Sequence, residues 1–174
     1  MPQPTLEWQG GVPKAEAFDD FYFSSTDGIA ESRYLFIEGN NLENRFTQKH
    51  KPNFCITELG FGTGLNFLLT WQAWLEHRHP DVQLHYVAID AFPLRKADFA
   101  RAAAHWPTLE PLATALMNEW PAATAGCHRL RWPDQALTLD LWWEDADTAL
   151  KDLASRQRHW VNAWFFDGFA PAKN

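Results

Sequence analysis

Three glycines at alternate positions, Gly60, Gly62 and Gly64, stand inside ELGFGTGLNF, residues 58–67. Before them runs NFCITELG, which reads as a strand. After them LNFLLTWQAWLEH places Leu68, Leu69, Trp71, Gln72 and Leu75 on the broad face of a helix, which Pro80 then stops. A strand that turns through glycines straight into a helix usually holds a nucleotide-like ligand. These glycines are out of step with both common phosphate cradles. The dinucleotide fingerprint is G-x-G-x-x-G, and its last position is Leu65 here; the phosphate loop needs G-K-[ST], which is absent. Glu58, just before the loop, would repel phosphate and suit a cation. S-adenosylmethionine carries a sulfonium and an amino group, and Asp90 at the end of the next strand is placed to accept from its ribose. The bland alternatives are a tight turn with no ligand, and an aspartate that merely ends a strand.

Around this loop the chain alternates. SRYLFIEG, 32–39, reads as a strand, and NNLENRFTQ as a short helix with Asn40 or Asn41 as N-cap. LHYVAID, Leu84–Asp90, reads as a strand, with Pro93 in the first turn of the helix that follows. TLEPLATALMNEW reads as a further helix. CHRLRW and ALTLDLWW read as strands joined by the turn-like Pro133, Asp134 and Gln135; DADTALKDLAS begins a helix, and NAWFFD is the last strand. Strands alternating with helices predict an α/β domain with a mostly parallel sheet, 51–174, on which residues 1–50 pack as an extension. Asp90, Asp145 and Asp167 then fall with the glycine loop at the carboxyl edge of that sheet, where ligands bind. Asp145 has two readings, adenine or ligand contact and helix N-cap.

The totals narrow the class. A chain of 174 residues, 46% hydrophobic, with ten Trp and thirteen Phe, can bury one core. A net charge of −7 does not advertise nucleic-acid binding, although charge can cluster locally. Cys55 and Cys127 form neither a disulfide framework nor a zinc spacing, and His77, His79, His105, His128 and His159 show no ligand spacing. No metal is expected. The chain lacks a run of ~18 apolar residues and a basic leader, so the expected place is the cytoplasm, away from membranes.

The second informative phrase is DGFAP, 167–171, after the apolar WFF. An amine that attacks a sulfonium methyl must be aimed and must lose a proton, and a carboxylate at hydrogen-bond distance does both. The bland reading is an Asp that caps its own turn. ITELGFGTGLNFLLTWQAW and AWFFDGFAPAKN together resemble the methyltransferase domain of the bacterial bifunctional MnmC family. FDDFYFSSTDGIAESRYLFIEGNNLENRF, GCHRL and LTLDLWWEDA are similar to it as well, so the resemblance runs nearly the whole chain. It implies a Rossmann-like S-adenosylmethionine-dependent methyltransferase fold. The implied activity is N-methylation of the 5-aminomethyl group of 5-aminomethyl-2-thiouridine at the tRNA wobble position.

The resemblance also implies roles. Glu58, Gly60, Gly62, Gly64 and Asn66 would shape the cofactor pocket. Asp90 would accept from the ribose, and Asp145 would lie near the adenine. Asp167 would orient and deprotonate the aminomethyl nitrogen. Phe169 and Pro171 would wall the base pocket, with Tyr22 and Phe23 lining it too. Ile89 and Asp90 depart from the Glu followed by Lys that relatives often carry, which shortens the reach to the ribose by one methylene. Bifunctional relatives add an FAD-dependent oxidoreductase domain, fused or separate, and none is present in this chain. The chain stops soon after Asp167, so the C-terminal strands are expected to be missing and Trp164, Phe165 and Phe166 to lack cover. A non-catalytic fragment and a dinucleotide-dependent oxidoreductase are the alternatives.

Overall fold

The computed structural model describes residues 1–24, 27–49, 53–156 and 161–168. A five-stranded sheet lies at its centre, built from β4 (Phe54–Leu59), β5 (Leu84–Asp90), β6 (Gly126–Trp132), β7 (Leu137–Trp143) and β8 (Ala163–Phe166). Their order is β6-β7-β5-β4-β8. β8, β4, β5 and β7 run parallel, and β6 pairs antiparallel with β7. This is the mostly parallel α/β sheet that the alternating pattern predicts. A small antiparallel meander, β1 (Leu6–Gln9), β2 (Val12–Ala15) and β3 (Asp20–Phe21), stands apart from it.

The glycine turn leads from β4 into α3 (Leu65–His77), which begins and ends where the apolar spacing places it. Leu65 through Trp71 are all buried, as are Ala73 and Trp74, so α3 is a core helix and not a half-exposed one. Its indoles are satisfied: Trp71 Nε1 donates to Gln135 Oε1 at 2.5 Å and Trp74 Nε1 to Gln135 O at 2.9 Å. Trp74 also packs edge-on to Phe46, itself edge-on to Phe54. Removing such a side chain typically costs about 3–5 kcal/mol. α4 (Lys96–Ala103) and α5 (Glu110–Asn118) pack against one another, and Phe99 and Leu116 join the same core. α6 (Ala146–Arg156) serves a second, smaller cluster of Cys55, Val87, Ile89, Trp142 and Ala149.

The structure corrects three local readings. Residues 32–39 are helical, not a strand. Asp27 caps α1 (Gly28–Ser32) by accepting from Ala30 N at 2.9 Å, and the chain runs on into a π-helical stretch, Arg33–Glu38. Gly39 N closes it on Tyr34 O at 3.0 Å. A run of four apolar residues carries no clear period, and here only Ile37 is buried while Tyr34 stays 68% exposed. Asn41 is the N-cap residue of α2 (Leu42–Phe46), one of the two expected, though its side chain makes no cap bond, while Asn40 Nδ2 donates back to Phe36 O. Pro93 lies ahead of α4, whose N-cap is Arg95. Phe165, expected to lack cover, is buried against Phe36 and Tyr86, whereas Trp164 and Phe166 are exposed on β8 at the sheet edge.

Candidate functional site

The carboxyl ends of β4, β5, β7 and β8 meet around a cavity of about 290 Å³. Backbone bonds tie these ends together: Gly60 N to Ile89 O at 2.9 Å, Glu144 N to Asp90 O at 3.1 Å, and Asp167 N to Leu59 O at 3.0 Å. Gly60, Gly62, Asn66, Asp90 and Asp167 all line the cavity, and Tyr22 reaches it from beyond β3. Sequence positions from 22 to 167 thus converge on one volume, near the low end of small-molecule sites.

Each lining group has a local cause. Gly60 has φ +90°, and a Cβ there would collide with the Asp167 carbonyl, so glycine lets the loop after β8 close on the loop after β4. Gly62 lies against the Tyr22 ring. Gly64 is not on the cavity wall; with φ +71° it turns the chain into α3 beneath Phe61. Asp90 Oδ2 accepts from Gly62 N at 2.8 Å and Oδ1 from Phe92 N at 2.7 Å. Burial raises the Asp90 carboxyl above its usual range, opposed by those backbone donors. The Phe61 backbone donor acts on it too, so three of the carboxylate's four lone-pair sites are engaged and one is left for a ligand hydroxyl. Phe92 and Phe18, edge to face at 5.6 Å, give this end an apolar wall for a flat ring.

At the opposite end Asn66 Nδ2 donates to Asp167 Oδ2 at 2.6 Å and to Glu58 Oε1 at 2.9 Å. Both amide hydrogens are held by carboxyl oxygens, which fixes the amide against a flip. Asn66 Oδ1 is then left buried with no partner. An orphaned acceptor in a cavity-lining residue fits a ligand N–H donor, such as an α-ammonium or an amine. Burial raises the Asp167 carboxyl too, and the Asn66 bond opposes it.

Other predicted residues are placed elsewhere. Glu58 is fully buried one layer behind the wall, with Tyr86 Oη at 2.9 Å from its Oε2. Asp145 accepts from Thr148 N at 2.9 Å, the N-cap geometry of α6, and its neighbours Glu144 and Ala146 line the cavity instead. Phe23 packs on Trp106 with ring centroids 5.0 Å apart, away from the cavity. Phe169 and Pro171 lie outside the described residues. Phe18, Phe92 and Glu144 escaped the sequence reading. Only Glu144 carried a signal, as the first residue of the acidic run that follows β7. Among the described residues no cluster of His, Cys, Asp or Glu could hold a metal ion, and no helix is long and apolar enough to cross a membrane.

Comparison with known proteins agrees with this geometry. A family model for S-adenosyl-L-methionine-dependent methyltransferases matches residues 107–174. The whole chain superposes on the crystal structure of MnmC2 from Aquifex aeolicus with a TM-score of 0.74 and 18% identity. The match covers 100% of this chain and 52% of the Aquifex chain, so this chain spans about half the length of that relative. The family match bears on residues 107–174 and the superposition shows the fold of the whole chain, in which the glycine loop and a strand-end carboxylate share one cavity.

Proposed function

We propose that the chain methylates the aminomethyl nitrogen of 5-aminomethyl-2-thiouridine at the tRNA wobble position, giving 5-methylaminomethyl-2-thiouridine. One observation carries this reading: Asp167, on the cavity wall, is held by Asn66 beside the glycine loop while Asp90 stands on the next strand end. When bound, the cofactor supplies an electrophilic methyl on a sulfonium. Asp90 would accept from the ribose hydroxyls, and the unpartnered Asn66 Oδ1 would accept from an amino group. Phe18 and Phe92 would cover the base. Asp167 would hold the substrate amine so that its lone pair faces the methyl. Asp167 would also take the proton that the amine gives up on methylation.

Tyr22 lies at the cavity and is suited to wall the uracil, a role extended in this proposal to Phe169 and Pro171. The substrate places the protein in the cytoplasm. An FAD-dependent oxidoreductase, fused or separate, would generate the free aminomethyl group. The test is methyl transfer to tRNA bearing 5-aminomethyl-2-thiouridine, beside calorimetric titration with S-adenosylmethionine and NAD. Binding of S-adenosylmethionine with transfer to that tRNA is expected. Binding of NAD alone, or transfer to an unrelated acceptor only, would overturn the proposal. Asp167→Ala should keep cofactor affinity within about threefold and lose about 10²–10⁴-fold in transfer, the range for one positioned acid–base group. Wild-type transfer by that variant would sink the assigned role.

A further inference from the structure

Glu58 is closed off from solvent, and each of its oxygens has one donor: Asn66 Nδ2 on Oε1 and the Tyr86 hydroxyl on Oε2. The charged groups that bear most on it among the described residues are Asp167 after β8 and Asp90 at the end of β5, both acidic. Asn66 also holds Asp167, so one amide serves two carboxyl groups. Two carboxylates sharing a site do not both ionise readily, and a proton on one relieves the repulsion. That proton belongs on Glu58, which is closed off from solvent, whereas Asp167 lines the cavity. It also has a place to go. With Oε1 occupied by Asn66, the hydrogen sits on Oε2 and is donated to Tyr86 Oη, which reverses the bond a carboxylate would accept there and turns the Tyr86 hydrogen towards Thr70. Tyr86 in turn bonds the Thr70 hydroxyl, which donates to Asn66 O at 2.7 Å.

We propose that Glu58 is a proton-bearing positioning residue: as a neutral carboxyl it anchors Asn66, Asn66 holds Asp167 at the cavity, and Asp167 is the ionised member of the pair. Burial, with the charge of Asp167 behind it, pushes the Glu58 carboxyl well above the ordinary range. This inverts the sequence expectation, in which Glu58 faces a cationic ligand as a carboxylate.

Only the kinetic part of the test rests on the proposed function. A carbon-13 carboxyl titration of the chain, with Glu58→Gln to assign the signal, should find one glutamate still protonated at neutral pH. A Glu58 signal ionised there would overturn the inference, whatever the methyl acceptor is. In transfer assays Glu58→Ala should lower kcat by at least about tenfold with cofactor KM within about threefold, the pattern of a lost transition-state arrangement. Glu58→Gln, which mimics the neutral acid, should restore kcat to within about threefold of wild type. If Glu58→Gln were as slow as Glu58→Ala, Glu58 would be acting as a charge. Absence of transfer by the wild-type chain would count against the proposed function alone, since the titration needs no substrate.

Discussion

Gly60 shows how much one missing methyl group controls. At φ +90° an L side chain is strained, and a Cβ would also strike the Asp167 carbonyl. An alanine there has to push the loop after β8 outward, and with it the Asp167 carboxylate that is proposed to hold the amine. Displacing a catalytic group by about 1 Å can cost on the order of 10²-fold. Gly60→Ala is therefore expected to lower transfer by about that factor. Gly62→Ala instead meets the Tyr22 ring at 3.0 Å, the movable end of a side chain. It should act first on cofactor affinity, because Gly62 N anchors Asp90. Steady-state kinetics beside calorimetry separates the two. Equal loss of kcat with no change in affinity for both variants would contradict the division.

At the scale of elements, α6 offers a clean contrast between adjacent acids. Asp145 caps the helix through Thr148 N, while Glu144 lines the cavity. Asp145→Ala should cost about 1 kcal/mol of stability, the usual value for a lost N-cap, and leave cofactor affinity within about twofold. Glu144→Ala should do the reverse. Urea denaturation and cofactor titration of both variants check this. A large affinity loss in Asp145→Ala would restore the reading of Asp145 as a ligand contact.

The same contrast explains what was legible in the sequence. α3 and β5 were readable to the residue because a long helical period and a short, mostly apolar run between turn signals leave little choice. Gly60, Gly62, Asn66, Asp90 and Asp167 were readable because a parallel sheet gathers strand ends at one edge. The helical turn at 33–38 was not, since four apolar residues fit either period and the deciding cap, Asp27, lies outside the run. Nor could spacing show that Glu58 lies behind the cavity. β4 is buried along almost its whole length, and no alternation marks which side faces the ligand.

For the molecule as a whole, two buried carboxyl groups pull stability in opposite directions with pH. Asp140 on β7 is fully buried and ties three strands: Arg129 of β6 bonds both its oxygens at 2.6 Å, and His85 Nε2 of β5 lies 2.8 Å from Oδ2. Burial alone would raise its pKa, but the bonds to Arg129 and His85 prevail and bring it from 3.8 to about 2. A depressed carboxyl stabilises the fold above its unfolded pKa, and that stability is lost as pH falls from about 4 towards 2. Glu58 has the opposite sign. Its folded pKa lies well above the unfolded 4.5, so its contribution is complete below that value and fades as pH rises towards the folded pKa. The fade is at most about 1.4 kcal/mol per pH unit for one proton. The two effects together place greatest stability on the acid side of neutrality, between the two titrations. Urea denaturation across pH should show Glu58→Gln flattening the decline on the alkaline side and leaving the acid side unchanged. Asp140→Ala should leave the alkaline side unchanged and lower the plateau by about 3 kcal/mol, the cost of breaking a buried ion pair by removing one partner. It should also remove the acid-side decline that Asp140 causes. A Glu58→Gln profile parallel to wild type at every pH above about 4.5 would mean that Glu58 carries no extra proton into the folded state.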